Sequence, residues 1–321
     1  ASLRFQYAAA GSGSWSDACT DTTTPYTCSF DTTVPADGLY DMRTLATDMA
    51  GNTTPSVVQT NRRIDNVGPV VALTSPTASR VRGTITVGGT ATDGAGVASV
   101  TFEYRQGAGA WGTICVDTTQ TYSCTADSTL VPDGVYDLRM TATDTLGHTS
   151  ASTTFTATVD NTAPTATDVQ AANGGTTGRI DAGDTLAFTW SEPMAPASIM
   201  TGWNGTSQAI RVRINDVGTA DTLDLYDSTG ATRLNVMSAT QALRLQADYV
   251  SATTSFNATM VMSGNTATIT IGTMVAGGAI RTGVITTANM IWSPAVAATD
   301  VAGNPASATA VTETGALDRD F

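Results

Sequence analysis

The sequence predicts an all-β chain of tandem β-sandwich modules, and three observations carry that prediction. The stretch from Cys19 to Cys28, followed by Asp37-Gly38-Leu39-Tyr40-Asp41-Met42-Arg43, recurs 96 residues later as Cys115 to Cys124 followed by Asp133-Gly134-Val135-Tyr136-Asp137-Leu138-Arg139. A repeat of about 100 residues in a chain rich in Thr, Val, Ala and Gly has the length of one sandwich module. Alternating runs at Ser99–Tyr104, Val135–Ala142 and Thr154–Val159 read as strands separated by Gly, Asp and Pro, and no segment carries a helical period.

Two joints share a signature, Ile64-Asp65-Asn66-Val67-Gly68-Pro69 and Val159-Asp160-Asn161-Thr162-Ala163-Pro164. Proline stiffens each joint and removes a backbone donor where one module's last strand gives way to the next module's first. The modules expected are therefore 1–66, 67–161 and 162–321. The third lacks the cysteine pair, yet Ala298-Thr-Asp300-Val-Ala-Gly303-Asn304 matches Ala46-Thr-Asp48-Met-Ala-Gly51-Asn52 and Ala142-Thr-Asp144-Thr-Leu-Gly147-His148. It reads as the same sandwich enlarged by a long insertion.

The second copy opens with about 28 residues, Val70 to Val97, that have no counterpart in the first. Leu3-Arg-Phe5-Gln-Tyr7 matches Val100-Thr-Phe102-Glu-Tyr104, taken as strand C, so the first module is expected to lack strands A and B. A sandwich without them exposes a hydrophobic groove and unpaired sheet edges. Three readings follow: a cut from a longer array, complementation by strands from a neighbouring subunit with head-to-tail polymerisation, or closure in a reduced form. In the C-terminal tail, 306–321, the first half is expected to be the last strand of the third module and the final six or so residues to be free.

Fifteen arginines, no lysine, one histidine and 28 acidic residues give a net charge of −13, which repels nucleic acid and anionic membrane and excludes both as partners. No run of 18 apolar residues exists, so membrane insertion is not expected, and no signal peptide stands at the start, so the chain reads as mature and exported. Without lysine, Lys–Asn isopeptide crosslinks cannot form. The four cysteines fall as two equally spaced pairs, predicting disulfides Cys19–Cys28 and Cys115–Cys124, each stapling a hairpin, and an oxidising compartment. Zinc is the rival reading, but no second cysteine pair or histidine lies nearby in sequence. Catalysis has little support: His148, the sole histidine, aligns with Asn52 in a turn, and nothing selects a carboxylate pair among 28 acids.

The linker Val/Ile-Asp-Asn-x-x-Pro, the turn Pro/Ala-Asp-Gly-x-Tyr-Asp and the late Ala-Thr-Asp-x-x-Gly-Asn together resemble the bacterial Ig-like repeats of large surface adhesins. Asp184-Thr-Leu-Ala-Phe188-Thr-Trp190-Ser-Glu192-Pro193-Met194 resembles the Ig-like domain of S-layer and surface-associated proteins. The resemblance implies immunoglobulin-like sandwiches at the bacterial cell surface, a fold that serves adhesion, spacing, assembly and carbohydrate display alike. Tyr40 and Tyr136 are expected to form tyrosine corners. Trp15 and Trp111 are expected as core anchors, with sugar platforms the alternative. Trp203 and Trp292 leave a binding role more open, with core packing the favoured reading.

In an Ig-type sandwich the B–C and F–G loops lie beside the incoming linker. That topology would gather Asp65, Asn66, Asp93 and Asp144 at the first joint, and Asp160, Asn161, Glu192 and Asp300 at the second. Oxygen-only ligand sets favour a hard cation, so calcium is expected as a candidate at both joints, while no cofactor is required. The competing reading is that these Asp and Asn residues cap turns. The function expected is that of a non-enzymatic extracellular structural protein, a subunit or segment of a bacterial surface appendage or array forming a stiff rod. Its partners would be copies of itself or the rest of a longer array. The alternative is an adhesin whose third module binds a surface glycan or host protein, a reading that exposed Trp203 or Trp292 would favour.

Overall fold

The computed structural model describes residues 1–278, 280–315 and 321. They divide into two compact units, Ala1–Val159 and Asp160–Phe321. Among the described residues no helix is long and apolar enough to cross a membrane.

The first unit opens with β1 (Ser2–Ala9), β2 (Ser16–Asp21), β3 (Gly38–Thr47), β4 (Thr53–Pro55) and β5 (Gln59–Ile64). These form one five-stranded sheet in the order β2-β1-β3-β4, with β5 also on β3. There follow β6 (Val70–Ser75), β7 (Arg80–Val81), β8 (Thr84–Thr92), β9 (Val97–Gln106), β10 (Gly112–Asp117), β11 (Ser123–Asp127), β12 (Gly134–Asp144), β13 (Thr149–Ala151) and β14 (Phe155–Val159). They make two sheets, β10-β9-β12-β14-β7 with β13 on β12, and β11-β8-β6. The alternation of β9 and β12 sends Val100, Phe102, Met140 and Ala142 inward, each 0% exposed, against Val87 and Ala91 of β8 and Tyr122.

That core is thin, and the backbone comes close. A methyl on Gly89 of β8 would run into the Met140 sulfur and the Ala72 carbonyl oxygen, so glycine is what lets the smaller sheet approach the larger. The tyrosine corners are present: the Tyr40 hydroxyl donates to the Ala36 carbonyl (2.7 Å) and that of Tyr136 to the Pro132 carbonyl (3.0 Å).

Two expectations are corrected here. Cys115 lies on β10 and Cys124 on β11, strands of different sheets, so this disulfide ties the two layers together where the chain crosses between them; it does not staple a hairpin. Cys19 is likewise joined to Cys28, a residue outside any strand. Trp15 and Trp111 are half-buried on the outer face of the larger sheets and are not core anchors. Arg43 stacks 4.1 Å from the Trp15 ring, and Arg105 and Arg139 stand 4.5 and 4.1 Å from the Trp111 ring. Arg139 pairs with Glu103 at 2.7 Å and Arg105 with Asp137 at 3.0 Å, so the Trp111 indole completes a layer of paired charges by cation–π contact, whereas Arg43 beneath Trp15 donates to Gln6 (2.9 Å).

The second unit contains β15 (Ala166–Ala172), β16 (Thr185–Trp190), β17 (Gln208–Asn215), β18 (Thr222–Asp227), β19 (Leu243–Arg244), β20 (Thr254–Ser263), β21 (Thr266–Ala276), β22 (Ile291–Trp292) and β23 (Val311–Thr312). They form one nine-stranded sheet, β15-β16-β21-β20-β17-β18-β19-β22-β23, every pair antiparallel. Side chains draw its two ends together. Asp168 of β15 accepts the Thr314 amide (3.0 Å), and Gln170 donates to the Thr314 carbonyl (2.7 Å). The wrapped sheet encloses a single apolar core in which Trp190 and Phe188 pack edge-on against Trp292. Phe321 is fully buried and meets Tyr249 edge-on at 5.2 Å, so the last residue of the tail is docked and not free as expected; 316–320 lie outside the described residues.

Two carboxylates are buried completely in this unit. Asp184 accepts the Gly174 and Asp181 amides (2.9 Å each), and Asp221 accepts those of Tyr249 and Val250 (2.7 Å each). Burial pushes both carboxyls above their usual range, and the neighbouring charges of Asp181 and Asp248 add to the rise. In the first unit the balance is reversed. Burial raises Glu103 and Asp144, but hydrogen bonds from Arg139 and Thr141 to the former, and from His148 and the Leu146 amide to the latter, hold both below it.

Gly89→Ala is expected to lower the stability of the first unit by about 2 kcal/mol through overpacking, read as a downward shift of its calorimetric transition. The two units should also respond to acid with opposite sign. A carboxyl raised in the native state penalises it at neutral pH and is relieved as pH falls, so the second unit gains stability from neutrality toward about pH 4. A carboxyl lowered in the native state contributes stability above its unfolded value and loses it as pH falls through the folded one, so the first unit weakens below about pH 4. Calorimetry across pH checks this, and Asp221→Asn should flatten the rise of the second unit.

Candidate functional site

Aspartate followed by threonine is the commonest punctuation of the chain, and the structure shows what it does. Asp21, Asp31, Asp117 and Asp127 each take, on Oδ1, both the amide and the hydroxyl of the threonine two residues on, at 2.7–3.0 Å. Those bonds hold all four carboxyls below their ordinary range. The turn is thereby satisfied from within, without help from a second layer.

The late Asp-x-x-Gly-Asn/His motif is a larger version. Asp48 Oδ1 accepts the Asn52 amide and Oδ2 its side-chain nitrogen, both at 2.8 Å. Asp300 does the same with Asn304, at 2.8 and 2.7 Å. In the second copy His148 supplies its amide (2.9 Å) to Asp144 Oδ1 and places Nδ1 2.9 Å from Oδ2. The intervening glycines, Gly51, Gly147 and Gly303, have φ of 89°, 98° and 93°, the left-handed conformation that closes the turn.

At these clasps a linker aspartate arrives. Asp65, Asp144 and His148 bring one ligand atom each within 4.8 Å of one another, as do Asp160, Glu192 and Asp300. Asp144 and Asp300 are buried, at 2% and 1% exposure. Five of the eight predicted residues, Asp65, Asp144, Asp160, Glu192 and Asp300, fall in these groups. Asp93 turns its Oδ1 to the amides of Ala95 and Gly96, at 2.7 and 3.1 Å. Asn66 is tied back to the first sheet, its amide and Nδ2 donating to Asp37 Oδ1 (3.0 Å each) and its Oδ1 accepting the Thr32 hydroxyl. In the first group the third ligand atom is a nitrogen of the His148 imidazole. Sequence reasoning treated His148 as a bystander; its alignment with Asn52 and Asn304, both nitrogen-bearing, was the signal that it closes on Asp144.

The two groups differ in chemistry. Asp160, Glu192 and Asp300 form an all-oxygen set suited to a hard divalent cation. Each Asp300 oxygen accepts one hydrogen bond from Asn304 and keeps a second acceptor direction. In the other group one of the three ligand atoms is an imidazole nitrogen, which calcium does not favour.

Among the described residues, no tryptophan of the second unit offers an exposed ring. Trp190, Trp203 and Trp292 of the second unit are at most 3% exposed, and the Trp203 and Trp292 indole nitrogens donate to the Thr206 and Val236 carbonyls.

No curated protein matches the chain. Among solved structures it is similar to fibronectin(III)-like modules of Clostridium thermocellum CbhA, at 22% identity over 49% of this chain and 77% of that one, with a TM-score of 0.29. It is also similar to a structure of a 1.5-MDa bacterial ice-binding adhesin, at 18% identity over 85% of this chain and 86% of that one (TM-score 0.32). A third similarity is to a tetra-tandem repeat from the extending region of a large adhesion protein, at 17% identity over 97% and 80%, respectively (TM-score 0.28). Residues 69–140, from the start of β6 into β12, match the family model of the bacterial Ig domain.

Proposed function

We propose that this chain is a non-enzymatic structural segment of an exported bacterial surface protein, its modules acting as load-bearing spacers, with calcium held by Asp160, Glu192 and Asp300. The observation that carries the reading is the repeated construction at successive joints, where a linker aspartate meets a self-satisfied aspartate clasp. Three features support it: the bacterial Ig domain at 69–140, disulfides that persist in an oxidising compartment, and a sole histidine engaged by a buried aspartate. The burial of Trp190, Trp203 and Trp292 weighs against the adhesin alternative in its glycan-binding form.

A bound cation would offset the mutual repulsion of three carboxylates and add stability by mass action. At calcium a hundredfold above its dissociation constant the gain is about 2.7 kcal/mol, which raises the melting point of the second unit by about 5–10 °C over that in chelator. Glu192 lies outside the turn clasp, so Glu192→Gln should abolish this shift while leaving the fold intact. Asp65→Asn should leave it unchanged, since the first joint has an imidazole in place of a third oxygen. A melting point indifferent to calcium and chelator would overturn the cation assignment. Specific binding of a glycan by the full chain would restore the adhesin reading.

A further inference from the structure

The three copies of the aspartate clasp do not end alike. Asp48 closes on Asn52 and Asp300 on Asn304, amides whose nitrogen only donates. Asp144 closes on His148, whose ring nitrogen can instead present a lone pair. The chain has no other histidine and its four cysteines are joined in disulfides, so His148 is the one imidazole or thiol it can bring to a metal ion.

The clasp already holds this side chain in a ligating arrangement. Asp144 Oδ1 takes the Leu146 and His148 amides at 2.7 and 2.9 Å, which orients the carboxylate and leaves Oδ2 facing His148 Nδ1 at 2.9 Å. Two ligands about 2.1 Å from a common zinc ion stand about 3.0 Å apart at a right angle and about 3.4 Å apart at the tetrahedral angle, so the pair has to open by no more than about half an ångström. The tautomer with its proton on Nε2 frees the Nδ1 lone pair.

Asp65 comes to this pair from the linker, one of its oxygens within 4.8 Å of both other ligand atoms. It is 9% exposed, yet its hydrogen bonding is meagre: the Val67 amide reaches Oδ1 at 3.3 Å, and Oδ2 accepts no bond among the described residues. Arg63 Nη1 and Asp65 Oδ2 both flank Gly94 without forming an ion pair. A buried carboxylate with an unanswered oxygen beside a second carboxylate is a costly arrangement that a bound cation relieves. At the other joint the third ligand is Glu192, the acid that follows β16; its counterpart after β8 is Asp93, whose Oδ1 is spent on the Ala95 and Gly96 amides. The histidine therefore replaces the third oxygen, and the replacement changes which ion the group prefers.

The geometry points to Asp65, Asp144 and His148 as a site for a borderline divalent transition ion, with zinc as its type: two carboxylate oxygens, one imidazole nitrogen and a water at the fourth position. Calcium, which surrounds itself with oxygen, is poorly served there. The bound ion pins the linker at Asp65 to the turn that follows β12.

The test titrates zinc into the full chain, free of affinity tags and stripped of metal, in excess calcium to fill oxygen-only sites. With a single histidine the imidazole signals in NMR are unambiguous, and zinc is expected to shift them to saturation at one equivalent. His148→Asn, the residue on which the other two clasps close, keeps the turn and should lower the zinc affinity measured by calorimetry at least about tenfold, and Asp65→Asn should do the same. The assignment is overturned if zinc leaves the imidazole signals unmoved, if either variant binds zinc as tightly as the parent chain, or if calcium alone produces the same shift.

Discussion

An aspartate that answers the amides of its own turn is the interaction on which the rest of this structure depends. Modest cores with few aromatics hold the sheets face to face, but they do not hold the ends of strands, where backbone donors would otherwise be left to solvent. The carboxylates of Asp21, Asp117, Asp48, Asp144 and Asp300 close those ends locally. Excess negative charge is therefore not merely a surface property. It is the by-product of using one residue type as the clasp at many turns, and Arg105 and Arg139 are drawn into pairs on the outer face with Trp111 stacked on them.

The same economy separates the two units. In the first, carboxylates sit at the rim, where hydrogen bonds outweigh desolvation. In the second, Asp184 and Asp221 are carried inside, each preceding a strand that begins Thr-Leu, Asp184 gripping amides of the segment before it and Asp221 those of Tyr249 and Val250. A wrapped nine-stranded sheet needs such anchors. Its loops are long, and the ladder alone does not fix the segments that cover its open ends.

What could be read in advance was what is local or repeated. The 96-residue period, the tyrosine corners at Tyr40 and Tyr136, the paired cysteines and the Asp-x-x-Gly-Asn turn are short-range patterns whose geometry follows from their own residues. Pairing over long separations was not legible. Nothing near Asp168 announces Thr314, and nothing in the spacing of Cys115 and Cys124 says that they belong to different sheets. Trp111 was misassigned to the core because its face is set by the register of β10 against β9, which places it beside Arg105 and Arg139. At the candidate site, loop order brings Asp160, Glu192 and Asp300 together, whereas Asp93 caps its own turn, the competing reading, and Asn66 is held by Asp37, 29 residues away, which sequence distance does not reveal.

A turn whose hydrogen-bonding needs are met within five residues has a consequence for how such a chain grows. Gene duplication that copies a module copies its closures with it, and the new copy needs no compensating change in its neighbours. The Asp-x-x-Gly-Asn/His clasp tolerates exchange of its last residue, Asn52 for His148, because either side chain offers a nitrogen at the same reach. Lengthening by repetition is then constrained chiefly by the short stretches between modules, and it is there, at Asp65 and Asp160, that divergence between copies would alter the behaviour of the whole.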